Sequence, residues 1–318
     1  MNASTATAVV FEKPGLLALR SVGLTQPAAN HCVIDVIWSG ISTGTERLLW
    51  DGRMPAFPGL AYPLVPGYES VGRVAEAGPN TSFKKGDWVF VPGSPGFTDV
   101  SGLFGATAER VVVEGERLVP IDESLGERGT LLALAATAHH CATRLERGRL
   151  PELIIGHGVL GRLVARVVMA LGGTPPLVWE TDPARRAGAQ GYNVVHPEAD
   201  TSTTYSVIAD VSGDADLLDT LIGRLQTQGA LVLAGFYHQA LSFSFPPAFM
   251  REASVVVAAE WQRADLDEVL KLIASGALSL DGLISHHHSA QAAAPAYRMA
   301  FGDPKCLKMV LEWGSGNS

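Results

Sequence analysis

Cysteine is scarce in this 318-residue chain, and the three present, Cys32, Cys141 and Cys306, lie far apart with no C-x-x-C pair among them. An odd, scattered set excludes a disulfide framework and a zinc knuckle, and fits a reducing cytoplasm. Long apolar runs are also missing. No stretch approaches the ~18 residues that span a bilayer, and residues 1–15 lack the basic start and apolar core of a secretory signal. Positive charge is in deficit: 24 Lys and Arg against 32 Asp and Glu give a formal net charge of −8. With no basic stripe to neutralise phosphates, a nucleic-acid partner is not expected. What remains, 47% hydrophobic and 18% charged, is the composition of a globular protein long enough for two domains.

Among the features present, Gly156-His157-Gly158-Val159-Leu160-Gly161 fits G-x-G-x-x-G. The pattern is weak alone and strong in its setting. The apolar run Leu153-Ile154-Ile155 enters it as a buried strand. Val159, Leu160, Leu163, Val164, Val167, Val168 and Leu171 leave it on one helical stripe, with Arg162 and Arg166 expected on the other face. Strand, glycine turn and helix make a dinucleotide-binding unit: Gly156 for the tight turn, Gly158 for approach of the pyrophosphate, Gly161 for close packing of the helix. The helix N-terminus then faces the phosphates. A second strand, Leu177-Val178-Trp179, ends in Glu180. A carboxylate there accepts the ribose hydroxyls of NAD and repels the 2′-phosphate of NADP, so NAD is the expected cofactor. Arg185 and Arg186 stand close enough to soften that preference. The cofactor-facing residues are therefore Gly156, His157, Gly158, Val159, Leu160, Gly161, Glu180, Thr181 and Arg185.

Before this unit, short β-like runs alternate with Gly and Pro, as at Ala8-Val9-Val10-Phe11, Val33-Ile34-Asp35-Val36-Ile37 and Val71-Gly72-Arg73-Val74. Residues 39–46 read as a small-residue turn rich in hydroxyls, and residues 54–68, with four prolines, as an irregular loop. Residues 131–145 should form a bridging helix. Further buried strands are expected at 205–211, 230–234 and 254–258, with helices over 214–225 and 264–274. Alternation of strand and helix implies a doubly wound parallel sheet. The run Lys308-Met309-Val310-Leu311-Glu312-Trp313 reads as a strand returning to the first domain. This gives an α/β protein: a β-rich, barrel-like domain over 1–147 and 262–318, and a Rossmann domain over 148–261.

That order resembles the medium-chain dehydrogenase/reductase superfamily, whose β-rich catalytic domain is GroES-like. Gly40-Ile41-Ser42 stands where its zinc enzymes have Gly-x-Cys, and Gly67-Tyr68-Glu69 where they have Gly-His-Glu. Lys85-Gly86-Asp87-Trp88-Val89 matches their K-G-D-x-V strand entry. Serine and a neutral phenol are poor zinc donors beside thiolate and imidazole, and the four-cysteine structural lobe is missing, so no metal is expected. Longer strings narrow the match: Ser39-Gly40-Ile41-Ser42-Thr43-Gly44-Thr45-Glu46, Ala135-Ala136-Thr137-Ala138, Phe245-Pro246-Pro247-Ala248-Phe249-Met250 and Cys306-Leu307-Lys308-Met309. These resemble the 3-hydroxyethyl bacteriochlorophyllide a dehydrogenases. The resemblance implies NAD-dependent oxidation of a 3-(1-hydroxyethyl) group to 3-acetyl on a bacteriochlorophyllide or chlorophyllide, late in bacteriochlorophyll synthesis. It also implies a homodimer through the edge of the nucleotide-domain sheet. Peripheral association with photosynthetic membranes is compatible with it, although no amphipathic basic helix announces one.

Oxidising a secondary alcohol without zinc requires a side chain or water chain to take the proton. The conjugated macrocycle lightens the task by spreading the charge that develops as hydride leaves. Candidate catalytic residues are Tyr68, His140, Glu69, Ser42, Thr43 and Thr45. Tyr68 is either a hydrogen-bond donor to the alcohol or a filler of the vacated metal space. His140, on the bridging helix, is either a base or a hydrogen-bonded helix histidine. Glu69 and the three hydroxyls are either functional or local supports. His286-His287-His288 cannot converge on one ion from an extended segment, and His139 or His140 stands as an alternative ligand for the substrate's magnesium. Residues 57–62 with Phe97, Leu103 and Phe104 form either a flat wall for a macrocycle or core. Two other functions fit the same residues: a zinc-independent NAD(P)H-dependent quinone or enone reductase, and a non-catalytic NAD-binding tetrapyrrole carrier.

Overall fold

The computed structural model describes residues 4–56 and 58–314. Two compact units are found, one built from residues 1–132 and 283–318 and the other from 133–282. In the first, β1 (Thr5–Lys13) and β2 (Leu16–Gly23) form an antiparallel hairpin. The long β3 (His31–Ile41) is followed by the short helix α1 (Thr45–Trp50), then β4 (Ser70–Ala77), β5 (Trp88–Val91), β6 (Arg110–Glu114) and β7 (Val119–Pro120). Residues 39–46, expected as a turn, are instead the end of β3 and the start of α1. Ser39 and Ile41 pair with Leu311 and Met309 of the C-terminal strand, which holds the small residues extended. Residues 54–56 and 58–68 are irregular apart from bridges of Leu64 to Phe11 and to Ser101.

The second unit opens with α2 (Leu132–Ala142), shorter than the expected 131–145. It continues through β8 (Leu153–Ile155), α3 (Val159–Ala170), β9 (Leu177–Trp179), β10 (Asn193–Val195), β11 (Tyr205–Asp210), α4 (Leu218–Gly223), β12 (Leu225–Leu233), α5 (Phe245–Met250), β13 (Ser254–Val257) and α6 (Arg263–Ala274). The expected helix over 214–225 is reduced to α4 and a preceding 3₁₀ turn, because Leu225 already belongs to β12. Among the described residues the parallel sheet runs β10-β9-β8-β11-β12-β13. This is the doubly wound order whose reversal lies between β8 and β11, where ligands of such sheets sit beyond the strand C-termini. The unit limits fall outside the 148 and 261 expected from strand spacing, since α2 and α6 pack with the sheet unit.

The chain then returns to the first unit as β14 (His286–Ser289), α7 (Ala293–Gly302) and β15 (Met309–Glu312). β15 lies antiparallel to β3 and parallel to β14, as the apolar run 308–313 implied. Two apolar clusters fill this unit, one around Val10, Ile34, Val74 and Val111, the other around Phe11, Leu49, Leu64, Tyr297 and Met309. A third, around Leu153, Ile208, Leu221 and Leu231, fills the sheet unit. Among the described residues no helix is long and apolar enough to cross a membrane.

Helix α3 departs from its sequence reading. Val159, Leu163, Val164, Val167 and Val168 are buried as expected, but Leu160 is only partly covered and Leu171 is 38% exposed at the helix end. Arg162 and Arg166, expected on the solvent face, are buried. Arg162 donates to the carbonyls of His157, Arg185 and Ala187, and Arg166 to those of Ser279 and Asp281. Each guanidinium is thereby met by loop carbonyls, which is what makes burial of the two groups tolerable.

Candidate active site

The glycine turn joins β8 to α3 with the geometry its spacing implies. Gly156 has φ +99°, a left-handed value that a side chain resists. A Cβ on Gly161 would stand 1.9 Å from the Gly156 carbonyl oxygen, so only glycine lets the helix start this close to the turn. A Cβ on Gly158, the residue before α3, would meet nothing within 4 Å among the described residues, so the helix N-terminus is open on that side. Glu180 follows β9, and its carboxylate accepts the His157 backbone N–H at 3.0 Å and the Asp182 N–H at 2.9 Å. An open glycine turn at a helix N-terminus with a carboxylate at the end of the second strand fits a dinucleotide.

The other residues read as cofactor-facing are placed variously. His157 is fully buried: its Nδ1 donates to the Arg185 carbonyl at 2.6 Å and its Nε2 accepts from Tyr192 at 2.8 Å. Burial, partly offset by the Arg185 carbonyl, pushes its pKa down to about 4, so the ring is neutral and braces the turn. Only its backbone N–H lies at the turn. Val159 is buried in α3, Leu160 is partly covered, Thr181 is exposed, and Arg185 pairs with Asp182 at 4.0 Å.

In the first unit the hydroxyls of Ser42 and Tyr68 are 2.8 Å apart. Burial first, and then the charge of Glu69, hold the Tyr68 phenol well above its ordinary range, so it stays protonated. Phe104 packs edge-on against its ring. The Ser42 N–H donates to Glu46, whose other oxygen accepts the Tyr297 hydroxyl at 2.8 Å. Glu46 is fully buried, and burial pushes its pKa up to about 8 against the opposing Tyr297 bond. Glu69 is also fully buried and forms an ion pair with Lys308, while its Oε1 has no hydrogen-bond partner among the described residues. Thr43 and Thr45 are partly buried, Thr45 opening α1. Among the described residues no three His, Cys, Asp or Glu side chains gather as a metal site. A protonated phenol hydrogen-bonded to a serine does not supply the donors that thiolate and imidazole supply to zinc.

His140 lies in the last turn of α2 beside His139. The two rings, expected to diverge along the helix, share one carboxylate of α6: His139 Nδ1 is 2.8 Å from Asp265 Oδ1 and His140 Nδ1 is 3.0 Å from Asp265 Oδ2. At the end of β11, Asp210 accepts from Tyr237 at 2.8 Å and from Ser212, and burial raises its pKa. The His286-His287-His288 run alternates along β14, with His287 paired to Glu127 and His286 to Ser285. Of the aromatic wall, Phe97 is core, Leu60, Tyr62, Leu103 and Phe104 pack on the cluster around Phe11, and Phe57 lies outside the described residues.

Sequence reasoning missed Asp265, Glu46, Lys308 as the partner of Glu69, and Asp210. Asp265 is the third residue of α6 and completes a capping box with Gln262. That local pattern gives no sign of its long-range partners. Glu46 carried a signal, a carboxylate closing a string of hydroxyls, but nothing local showed that it is buried.

Residues 28–123 match the alcohol dehydrogenase GroES-like domain. The chain is 53% identical over 306 residues to the 2-desacetyl-2-hydroxyethyl bacteriochlorophyllide A dehydrogenase of Rhodobacter capsulatus, covering 96% of this chain and 97% of that one. It is 52% identical to the protein of that name from Cereibacter sphaeroides, covering 96% and 98%. In fold it is similar to an alcohol dehydrogenase of Escherichia coli CFT073 complexed with NADH, at a TM-score of 0.84 and 20% identity over 98% of this chain and 100% of that one. With half of its residues shared over nearly the whole of both chains, and on the α/β fold of the medium-chain dehydrogenases, the chain belongs to the family of the 2-desacetyl-2-hydroxyethyl bacteriochlorophyllide A dehydrogenases.

Proposed function

We propose that this chain oxidises the 1-hydroxyethyl substituent of a bacteriochlorophyllide a precursor to acetyl, with NAD as cofactor and without zinc. The substrate class is taken from the names of the two relatives. The observation that carries the chemistry is the His140–Asp265 pair, which leaves Nε2 of a partly exposed imidazole without a partner among the described residues. When bound, NAD supplies the acceptor for the hydride of the carbinol carbon. Gly156, Gly158 and Gly161 would shape the turn for its pyrophosphate, and Glu180 would hold the ribose hydroxyls and disfavour a 2′-phosphate.

His140 takes the alcohol proton. The rival acceptors are weaker for physical reasons. Tyr68 is held protonated, Glu69 is fully buried on Lys308, and Ser42 is committed to Tyr68. The chain works in the cytoplasm, where its buried cysteines stay as thiols. It functions as a homodimer through β13, the last strand of its sheet, where Val257 is 62% exposed; Phe249 and Met250 of α5 are exposed as well. A solution mass of one chain by light scattering refutes the dimer.

The catalytic reading is tested with purified protein, a chelator, NAD or NADP, and 3-(1-hydroxyethyl) bacteriochlorophyllide a. NADH formation matching loss of substrate is expected, with His140→Gln slowing kcat by about 10²-fold or more. Activity that appears only on adding zinc refutes the metal-free mechanism, and undiminished turnover in His140→Gln refutes the base.

A further inference from the structure

We propose that Asp265 is a positioning residue for the proton transfer, fixing His140 in the tautomer that presents Nε2 as the acceptor. The proposal rests on the reading of His140 as the base. Consecutive helical residues project about 100° apart, so the rings of His139 and His140 have no intrinsic reason to face one group. Asp265 brings them together from α6, with one carboxylate oxygen on each Nδ1, at 2.8 and 3.0 Å. All three side chains are largely withdrawn from solvent, with His140 the most open at 18% against 10% for the other two.

A carboxylate offers only acceptor oxygens, so each Nδ1 carries the proton and each Nε2 keeps its lone pair. When the carbinol O–H breaks, its proton moves to Nε2 of His140. The electron pair left on oxygen becomes the carbonyl bond as hydride departs. The imidazole gains a positive charge, which the adjacent carboxylate offsets, as a buried aspartate does in other histidine-base constellations.

Helix capping does not account for this arrangement. The capping box uses one oxygen, Oδ2, on the Gln262 N–H at 2.8 Å. Oδ1 is left to His139 alone, and the His140 bond adds a third donor to the same group. An amide would satisfy the cap with its oxygen, but it would carry no charge and would present N–H donors to a ring nitrogen.

The test compares wild type, Asp265→Asn, Asp265→Ala and His140→Gln, with imidazole ¹⁵N NMR of the NAD-bound protein beside steady-state kinetics. Both rings are expected as Nδ1–H tautomers in the wild type. In Asp265→Ala the His140 signal moves toward the Nε2–H tautomer and kcat falls at least 10²-fold, with KM within about threefold. Asp265→Asn, which keeps a capping oxygen, retains the fold and still loses at least tenfold in kcat, because no charge offsets the imidazolium. Full turnover in His140→Gln overturns the reading of the base, and this role with it. Loss of turnover in His140→Gln, with Nδ1–H tautomer and kcat intact in both Asp265 variants, overturns the positioning role alone.

Discussion

Replacing Glu46 by glutamine should make the protein more stable at neutral and alkaline pH, by a margin that grows up to about pH 8 and vanishes only below the pKa of an unfolded glutamate. The side chain is fully buried, with the Ser42 N–H on one oxygen and the Tyr297 hydroxyl on the other. Burial lifts its pKa to about 8, and the nearby charge of Glu69 pushes the same way. In the unfolded chain a glutamate titrates near 4.3. The folded state therefore holds a proton that the unfolded chain has released, and stability falls as pH rises between those two values. At ~1.36 kcal/mol per pH unit per proton, about 2–3 kcal/mol is lost between pH 6 and 8. Glutamine is the neutral isostere: its oxygen still accepts from Ser42, and its amide donates to the Tyr297 oxygen. Thermal melts at pH 6, 7 and 8 should show the glutamine protein melting higher throughout, with the gap widening as pH rises. From pH 6 to pH 8 it should grow by roughly 5–10 °C, since about 1 kcal/mol moves Tm by ~2–4 °C in a unit of this size. Parallel melting curves across that range would mean that Glu46 is ionised throughout and that the reasoning is wrong.

Three further outcomes follow from the same geometry. Gly161→Ala places a methyl 1.9 Å from a backbone oxygen; denaturant unfolding should show a loss of at least about 2 kcal/mol, and calorimetry a loss of NAD binding. Lys308→Met leaves Glu69 buried without its cation, and should destabilise by about 3–5 kcal/mol at neutral pH, read by urea unfolding. Glu180→Gln should weaken NAD roughly tenfold or more in titration calorimetry, through loss of charge-assisted hydrogen bonds, while narrowing the gap to NADP.

The fold was legible where periodicity and punctuation agree. The strand, glycine turn and helix at 153–170 and the returning strand at 309–312 lie where the sequence put them, because each is set by neighbours a few residues away. Arg162 and Arg166 misled, since charge on one helical face ordinarily marks solvent, and only the distant carbonyls of Ala187 and Ser279 explain their burial. Residues 39–46 look like a turn by composition, yet β15 pairs with 39–41 and draws them into a strand. Of the candidate catalytic residues, His140 and Tyr68 were visible. Asp265 was not, because its partners lie about 125 residues away and no local pattern encodes that contact.

Glu180, proposed above as the residue that favours NAD, has a second tie that bears on how such a preference could change. One of its oxygens holds the amide of His157 inside the glycine turn, and the other holds Asp182 in the loop that follows. Arg162 clasps the same loop from beneath through the Arg185 and Ala187 carbonyls. Removing the acid to welcome a phosphorylated ribose would also unfasten the turn from the loop. A switch of coenzyme would then need a replacement tether before, or together with, the new anion-binding group. Selectivity and local architecture are inherited as one unit, and a stepwise path between them passes through a loosened intermediate.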